Sequence, residues 1–472
     1  MIFSSYSFLL FLVIVFAGYY ALNYFEKKTL SKVWLVGASF YFYAQGSMRF
    51  LPFFVFTVFF NYFIGTGLVR AESVAKRRVL FALGLLENLA LLGYFKYADF
   101  FLENVNFVLG KQITLIHLAL PIGISFFTFQ LIAYIVDCYR GETQEYSLIN
   151  YLLFITFFPQ LIVGPIIHHK DVVPQFENPS NQRFIKENIM LGLFVFAIGC
   201  TKKVMLADPL THFAQSYFSN VHEGGLFMAL FSSLSYTFSY YFDLSGYADM
   251  AIGLGLFFNI NLPQNFDSPY KSRNFRDYWR RWHMSLSKFL SDYVFRSVYK
   301  KGSGSVRFYA AVMATFLVSG FWHGAGWRFV LWGGINGIFV CMAHFMTRRK
   351  WSLPTPIAWG LTFIGIVGTR IIFVSGSLKD AIHVMKTIVD LSVFNGWAKT
   401  AILAELGQFL IDNIYIMALL AVSMFIAFFF KNTREITEKF DSSYKYAFIT
   451  GVLIVLSLFQ MSNVADFLYF QF

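Results

Sequence analysis

Residues 308–345 read FYAAVMATFLVSGFWHGAGWRFVLWGGINGIFVCMAHF, two apolar runs joined by the motif FWHGAGW at 321–327. We interpret both runs as membrane helices. An ionisable side chain at membrane depth is costly and normally marks a working site, so His323 is the first candidate functional residue. Gly320, Gly324 and Gly326 surround it. They predict a helix break or a close helix approach that leaves space for a substrate chain.

The whole chain has the composition of a polytopic membrane protein. Of its 472 residues, 57% are hydrophobic, 21% aromatic and only 14% charged, and the mean hydropathy is +0.56. Such values lie far from those of a soluble globular domain. At ~20 residues per crossing, we predict an all-α fold with roughly eleven to thirteen transmembrane or re-entrant helices, plus interfacial amphipathic helices. The long apolar runs are 8–22, 53–69, 79–94, 148–163, 189–206, 308–321, 329–345, 357–373, 414–430 and 447–464.

Loop charges predict the orientation of the chain in the membrane. The first apolar run lacks a basic n-region and a small-residue cleavage site, so we interpret it as a retained helix. Basic residues cluster at 27–32, 70–78, 271–307 and 348–350. The positive-inside rule places those loops in the cytoplasm, and the N-terminus therefore outside. The C-terminus is predicted outside as well, and residues 1–472 are interpreted as one integral domain.

The most polar segment, residues 265–307, contains ten basic residues against three acids. Its apolar residues follow a helical stripe: Phe275, Trp279, Trp282, Leu286, Leu290 and Val294. We predict that residues 271–307 lie in the cytoplasmic interface plane, with tryptophans at headgroup level. The segment is then either a surface anchor or a phosphate-binding surface for a donor such as coenzyme A, with Arg280 and Arg281 as bidentate contacts. The net charge of +12 does not indicate nucleic acid, because the basic loops adjoin membrane helices and contact anionic lipid headgroups.

Motif spacing limits the chemistry. No histidine is followed five positions later by aspartate, and H-E-x-x-H, P-loop, G-x-G-x-x-G and G-x-S-x-G motifs do not occur. The three cysteines lie apart without C-x-x-C spacing, so no zinc or other metal site is predicted. A neutral His323 can accept a proton from an attacking hydroxyl, with Trp322 and Trp327 as walls of the cavity. The alternative is a core histidine in a glycine-rich helix contact.

Other polar residues are weaker candidates. Asp243 and Asp249 lie six positions apart and so do not share a helix face. They are candidates for polarising a histidine or marking an ion path. His168 and His169 are interpreted as solvated loop histidines, and His283, taken alone, as an interfacial histidine.

Several strings resemble the membrane-bound O-acyltransferase family, within its bacterial alginate and peptidoglycan O-acetylation branch. They are FPQLIVGPI (158–166), YFDLSGYADMAIGLG (241–255), NFDSPY (265–270), WRRWHMSLS (279–287), FWHGAGW (321–327) and, upstream, LGYFKYADF (92–100) and LPIGISFFTFQ (120–130). The two histidine motifs, in this order and at long spacing, are specific together. One departure is NFDSPY, where close relatives are expected to have NFNSPY.

The resemblance implies tilted helices around a thinned centre, with His323 as the catalytic histidine and His283 as the supporting one on the cytoplasmic side. It implies acetyl-CoA as the donor, with no permanently bound cofactor. The acetyl group then crosses the bacterial inner membrane to a periplasmic transferase partner, which O-acetylates a polysaccharide such as peptidoglycan or alginate. The candidates for donor binding are Arg280, Arg281, Trp282, Trp322 and Trp327, and Asn274 joins the two aspartates as a further site candidate.

Two alternatives remain open. The D-alanylation branch of the same family takes its acyl group from a small carrier protein bearing phosphopantetheine. A transporter or lipid scaffold would carry out no covalent chemistry and is expected to contain inverted repeats.

Overall fold

The computed structural model describes residues 2–390 and 398–461, which form helices and connecting segments with no strand among them. The helices of the first part are α1 (Tyr6–Tyr24), α2 (Lys28–Ser47), α3 (Leu51–Arg70), α4 (Val74–Leu92), α5 (Ala98–Leu109), α6 (Ile124–Arg140), α7 (Leu148–Thr156), α8 (Phe158–Leu161), α9 (His169–Glu177), α10 (Lys186–Thr201) and α11 (Asp208–Phe218). Those that follow are α12 (Leu226–Phe257), α13 (Phe275–Arg281), α14 (Met284–Leu290), α15 (Arg296–Val298), α16 (Gly304–His323), α17 (Trp327–Arg348), α18 (Thr355–Val374), α19 (Leu378–Val389), α20 (Ala398–Asp412), α21 (Ile414–Phe429), α22 (Thr433–Thr437) and α23 (Tyr444–Gln460). The end of the apolar run 447–464 and the C-terminus predicted to lie outside fall beyond the described residues.

The helices confirm an all-α polytopic membrane protein. Within the described ranges, seven segments are long and apolar enough to cross a bilayer: Tyr6–Tyr24, Lys28–Arg70, Val74–Leu109, Lys186–Phe218, Gly304–His323, Trp327–Arg348 and Thr355–Val374. The pair Ile402–Asp412 and Ile414–Phe429, bent by 88°, adds an eighth if it forms one span. The number is below the eleven to thirteen helices expected from the apolar runs. Three of these segments each join two helices through a 3-10 or π turn, and the run at 148–163 forms only the short helices α7 and α8.

The described chain divides into two compact units. The first comprises the described residues of Met1–Ala197, Tyr247–Gln264 and Phe440–Gly451, and the second those of Ile198–Gly246, Asn265–Lys439 and Val452–Phe472. Both units are built from segments that are far apart in the sequence. The interpretation of residues 1–472 as one domain stays a prediction.

The first unit has a core of aromatic rings and contains a buried polar network around His169. His169, which begins α9, is fully buried, with its Nε2 3.0 Å from Asp137 Oδ2 and its Nδ1 2.8 Å from the Tyr146 hydroxyl. His168 is only 8% exposed. The interpretation of both histidines as solvated loop residues was therefore wrong. The local sequence does not reveal the polar partners, which come from distant positions.

The second unit contains the basic segment, and here the predicted single interfacial helix is wrong. The segment forms α13, α14, a π turn over Ser291–Phe295, and α15, with the first break at Trp282 and His283. The predicted apolar stripe is buried as far as Leu290, but inside the protein, since Trp279 is 8% and Trp282 2% exposed. Tryptophans at headgroup level would be far more exposed. Packing against other helices of this unit has replaced packing against lipid.

Candidate active site

His323 is the last residue of α16, and the helix ends immediately after it. Gly324 and Gly326 are both extended, with φ of −166° and 178°, and α17 begins at Trp327. The predicted helix break is thus confirmed. It places His323 at a tight connection between two antiparallel apolar helices.

Two glycines let α16 and α17 meet backbone to backbone. A Cβ atom at Gly320 would lie 2.3 Å from the carbonyl oxygen of Phe329, and one at Gly333 would lie 2.3 Å from that of Phe316. Real Cβ atoms essentially never come that close to another atom, so only glycine fits both positions. The predicted close approach is also confirmed, and it fixes His323 against α17.

A hydrogen bond from Nδ1 and an aromatic enclosure orient the His323 ring. Its Nδ1 lies 2.6 Å from the backbone carbonyl oxygen of Ser319, and the side chain is 3% exposed. Because a carbonyl oxygen can only accept, Nδ1 carries the hydrogen and Nε2 carries the lone pair. The ring centroid lies 4.8 Å from Trp322, 4.9 Å from Trp332 and 5.8 Å from Phe373. The geometry therefore presents Nε2 as a proton acceptor in an apolar environment.

His283 lies in the same aromatic cluster. Its ring is 6.2 Å from the Trp322 ring, which also contacts His323. It caps the N-terminus of α14 with a φ of +46°, a left-handed conformation that is uncommon for residues other than glycine. Burial lowers the pKa of His283 to about 3, so the imidazole is neutral at physiological pH. The structure brings both predicted histidines to Trp322.

Asn265 holds the backbone around His283, and the sequence analysis missed it. Its carbonyl oxygen accepts from the Met284 N–H at 2.9 Å, and its Oδ1 accepts from the N–H and hydroxyl of Ser285 at 3.1 and 2.9 Å. These contacts stabilise the turn that aims the histidine. The signal was present, because Asn265 opens the NFDSPY string that was noted only for its family resemblance.

Arg370 is a second residue that the sequence analysis missed. It is 2% exposed, its Nη2 donates to the Tyr278 hydroxyl at 2.9 Å, and its Cζ lies 4.3 Å from the Tyr240 ring and 4.4 Å from the Trp282 ring. Two aromatic faces at this distance stabilise a desolvated cation. An arginine inside the apolar run 357–373 is the signal that identifies it. Trp282, predicted to bind the donor, is instead one wall of this cage.

A cavity of about 310 Å³ in the second unit reaches Ser319, one helical turn before His323. Ser319, whose carbonyl oxygen holds His323, contributes to its lining, and Arg276 and Arg280 do so as well. Arg280, predicted to bind the donor, is thus a lining residue of this cavity. Arg281 does not line the cavity. It is paired with Asp277 at 3.0 Å, and its Nη1 lies 3.8 Å from an Asp267 oxygen.

The remaining predicted residues lie elsewhere. Asp243 pairs with Lys203 at 2.8 Å in a buried cluster that includes Asp208, 2.7 Å from the same ammonium. Asp249 is buried but belongs to the first unit. Asn274 is exposed and caps α13 by accepting from the Asp277 N–H at 2.8 Å.

The prediction that Trp327 forms a wall of the cavity was wrong, because its side chain is 61% exposed. The extended glycines leave it as the first residue of α17, outside the packed face. Phe329, two residues later, is the buried aromatic side chain, at 3% exposure. Trp322, at 2% exposure and 4.8 Å from the His323 ring, does lie at the site.

Comparison with known proteins identifies the family. Residues 122–373 match the model of the membrane-bound O-acyltransferase family. The chain is 38% identical to the peptidoglycan O-acetyltransferase of Helicobacter pylori, over 98% of this chain and 95% of the relative. It belongs to the membrane-bound O-acyltransferase family. The resemblance stated from the motifs is confirmed.

Two further relatives place this membrane-bound O-acyltransferase more closely. It is 35% identical to the probable alginate O-acetylase AlgI of Pseudomonas aeruginosa, over 91% of this chain and 81% of the relative. It is 29% identical to the teichoic acid D-alanyltransferase of Streptococcus thermophilus, over 48% of this chain and 58% of the relative. The protein is a multi-pass membrane acyltransferase, and the similarity to O-acetylating relatives extends over more of the chain.

Proposed function

We propose that this acyltransferase takes an acetyl group from acetyl-CoA on the cytoplasmic face of the bacterial inner membrane. It passes the group to a periplasmic transferase partner that O-acetylates a cell-envelope or secreted polysaccharide. The names of the relatives that match over nearly the whole chain support acetyl as the group transferred and a polysaccharide as the final acceptor. The D-alanyl alternative is supported by relatives that match about half of the chain.

The cavity beside Ser319 is the observation that carries the proposal. Arg276 and Arg280 lie one helical turn apart on α13, so they share a face, and both line the cavity. Among the described residues, neither arginine forms an ion pair. Their guanidinium groups are therefore available to bind the phosphates of coenzyme A in bidentate fashion. The apolar lining that continues to Ser319 suits the thioester arm.

His323 supplies the proton transfer in the proposed step. Its Nε2 accepts the proton of the acceptor hydroxyl as that oxygen attacks the acetyl carbonyl carbon. The carbon–sulfur bond then breaks, the new carbon–oxygen bond remains, and the departing thiolate takes the proton from Nε2. The Ser319 carbonyl holds the tautomer that this step requires. A neutral His283 across Trp322 serves as an orientation partner.

The first experiment uses the full chain in liposomes, with the partner transferase and polysaccharide fragments supplied inside and acetyl-CoA outside. Release of coenzyme A and transfer of labelled acetyl are followed for wild type, His323→Ala and His283→Ala. We expect His323→Ala to abolish both signals. His117→Ala is the control because this histidine is exposed and belongs to the first unit. Wild-type transfer by His323→Ala would refute the site.

A second arm tests the donor. Replacing both Arg276 and Arg280 by alanine is expected to raise the KM for acetyl-CoA at least about tenfold, since two charge-assisted phosphate contacts are lost. Arg281→Ala is the matched control, because its guanidinium is already paired with Asp277. Turnover with a D-alanyl carrier protein but none with acetyl-CoA would replace this proposal with the D-alanyl alternative. Turnover with neither donor would favour a non-enzymatic role.

A further inference from the structure

Trp332 carries a buried hydrogen-bond donor that the described fold does not pair. Its side chain is 2% exposed, and no acceptor among residues 2–390 and 398–461 forms a hydrogen bond with its Nε1. Buried polar groups in folded proteins are nearly always paired, so an unpaired donor needs an explanation. Two other indoles of the same unit show the ordinary arrangement. Trp359 Nε1 donates to the Tyr270 carbonyl at 3.0 Å, and Trp279 Nε1 lies 3.3 Å from the Asn336 side-chain oxygen.

The position of Trp332 connects this donor to the reaction. Its ring lies 4.9 Å from His323 and 5.2 Å from Phe373, and 5.7 Å from Trp279, which lines the cavity. It is held there by the glycine contact between α16 and α17, because Gly333 is the next residue. The unpaired N–H is therefore carried on a rigid element beside the base.

We propose that the Trp332 Nε1–H is the donor that stabilises the oxyanion of the tetrahedral intermediate; this rests on the proposed function. When the acceptor oxygen bonds to the acyl carbon, the carbonyl π electrons move onto its oxygen. His323 Nε2 holds the proton of the acceptor at this stage. As the intermediate collapses, those electrons restore the carbonyl, the thiolate leaves, and the proton passes to sulfur.

A fixed donor on a buried side chain is suited to this task. An N–H that bonds the oxyanion more strongly than the ground-state carbonyl lowers the barrier, and it needs no reorganisation during the reaction. The Trp332 N–H is then paired with the oxyanion while the tetrahedral intermediate exists, which is when this hydrogen bond accelerates the reaction. The neighbouring apolar rings keep the local dielectric low, which strengthens the interaction.

The test separates the N–H from the ring. Trp332 is replaced by β-(3-benzothienyl)alanine, which keeps the bicyclic shape but has sulfur in place of N–H, and separately by phenylalanine. In the liposome assay with acetyl-CoA, we expect both variants to lose about 100-fold in kcat, with KM changed less than about threefold. Trp359→Phe is the control, because it removes a paired indole N–H of the same unit and should retain wild-type kcat.

The outcomes are distinct. Wild-type kcat in the benzothienyl variant would overturn the proposal, whether or not Trp332→Phe is impaired, because the ring alone would then suffice. An equal rise in KM and loss of kcat/KM with unchanged kcat would also overturn it, since that pattern marks ground-state binding. A wild-type protein that is inactive with acetyl-CoA and with a D-alanyl carrier protein would instead refute the proposed function.

Discussion

Replacing Gly320 by alanine tests the helix contact that positions His323. The added Cβ would lie 2.3 Å from the Phe329 carbonyl oxygen and 3.1 Å from the Gly333 Cα, whereas ordinary contact begins at 3.4 Å. Both close neighbours are backbone atoms, which cannot rotate away as a side chain can. The helices α16 and α17 must therefore separate locally by about 1 Å.

This displacement occurs one turn before His323, the proposed catalytic base. His323 follows Gly320 by three residues on the same helix, and its aromatic neighbour Trp332 adjoins the opposing glycine. A misplacement of about 1 Å in a catalytic constellation can cost about 100-fold in rate. Overpacking of a well-packed contact costs about 1–3 kcal/mol of stability. We thus expect Gly320→Ala to insert and fold, to unfold at a lower temperature, and to lose about 100-fold in kcat.

Gly334→Ala is the matched control. Its Cβ would meet only Leu317 Cδ2, at 3.7 Å, which is ordinary contact. Alanine also has a higher helix propensity than glycine by about 1 kcal/mol, so this variant should be at least as stable as wild type. Coenzyme A release and thermal unfolding in detergent measure both effects. Wild-type kcat and Tm in Gly320→Ala would refute the inferred backbone contact.

Three further predictions concern buried charges and their partners. Lys203→Met leaves Asp208 and Asp243 buried without their shared cation, so we expect it to cost about 3–5 kcal/mol, measured as a lower Tm. An unchanged Tm would contradict this buried ion cluster. Tyr278→Phe removes the hydrogen bond from the buried Arg370 guanidinium and should cost about 1.5–3 kcal/mol of stability by the same assay. No loss of stability would mean that water replaces the hydroxyl. His283 has a pKa of about 3 folded against 6.5 unfolded, so its contribution to stability is complete above pH 6.5 and is lost as the pH falls toward 3. At about pH 5 wild type should have lost about 2 kcal/mol that His283→Gln does not lose, and parallel pH profiles of unfolding would contradict this burial.

The sequence predicted the parts of the fold that depend on local pattern. Apolar runs identify membrane helices because each residue in lipid must be apolar and each backbone group must be paired within the helix. The glycines around His323 predicted a helix break or a close helix approach, and the structure contains both. The basic segment was misjudged, since its 3.6-residue stripe shows which side chains are buried but not what covers them. A stripe of tryptophans fits lipid headgroups and a protein core equally well.

The site was predictable only in part. His323 follows from an ionisable residue in an apolar run, whereas His283 follows only from the family resemblance, and the structure places both against Trp322. Asn265 and Trp332 could not be assigned from spacing, because their roles depend on which backbone or ring the fold brings next to them. An unpaired N–H has no sequence signature at all.

The surroundings of the buried Arg370 side chain, which the sequence does not reveal, determine how its charge acts on the site. In the described part of the chain its guanidinium forms no ion pair, and its contacts are the Tyr278 hydroxyl and the rings of Tyr240, Trp282 and Phe373. Aromatic faces stabilise the cation without cancelling its charge, unlike a carboxylate. Phe373 also contacts His323, so this uncompensated positive charge lies one ring away from the proposed base. Negative charge that develops on a reacting oxygen near His323 is therefore favoured, in the same direction as the Trp332 N–H.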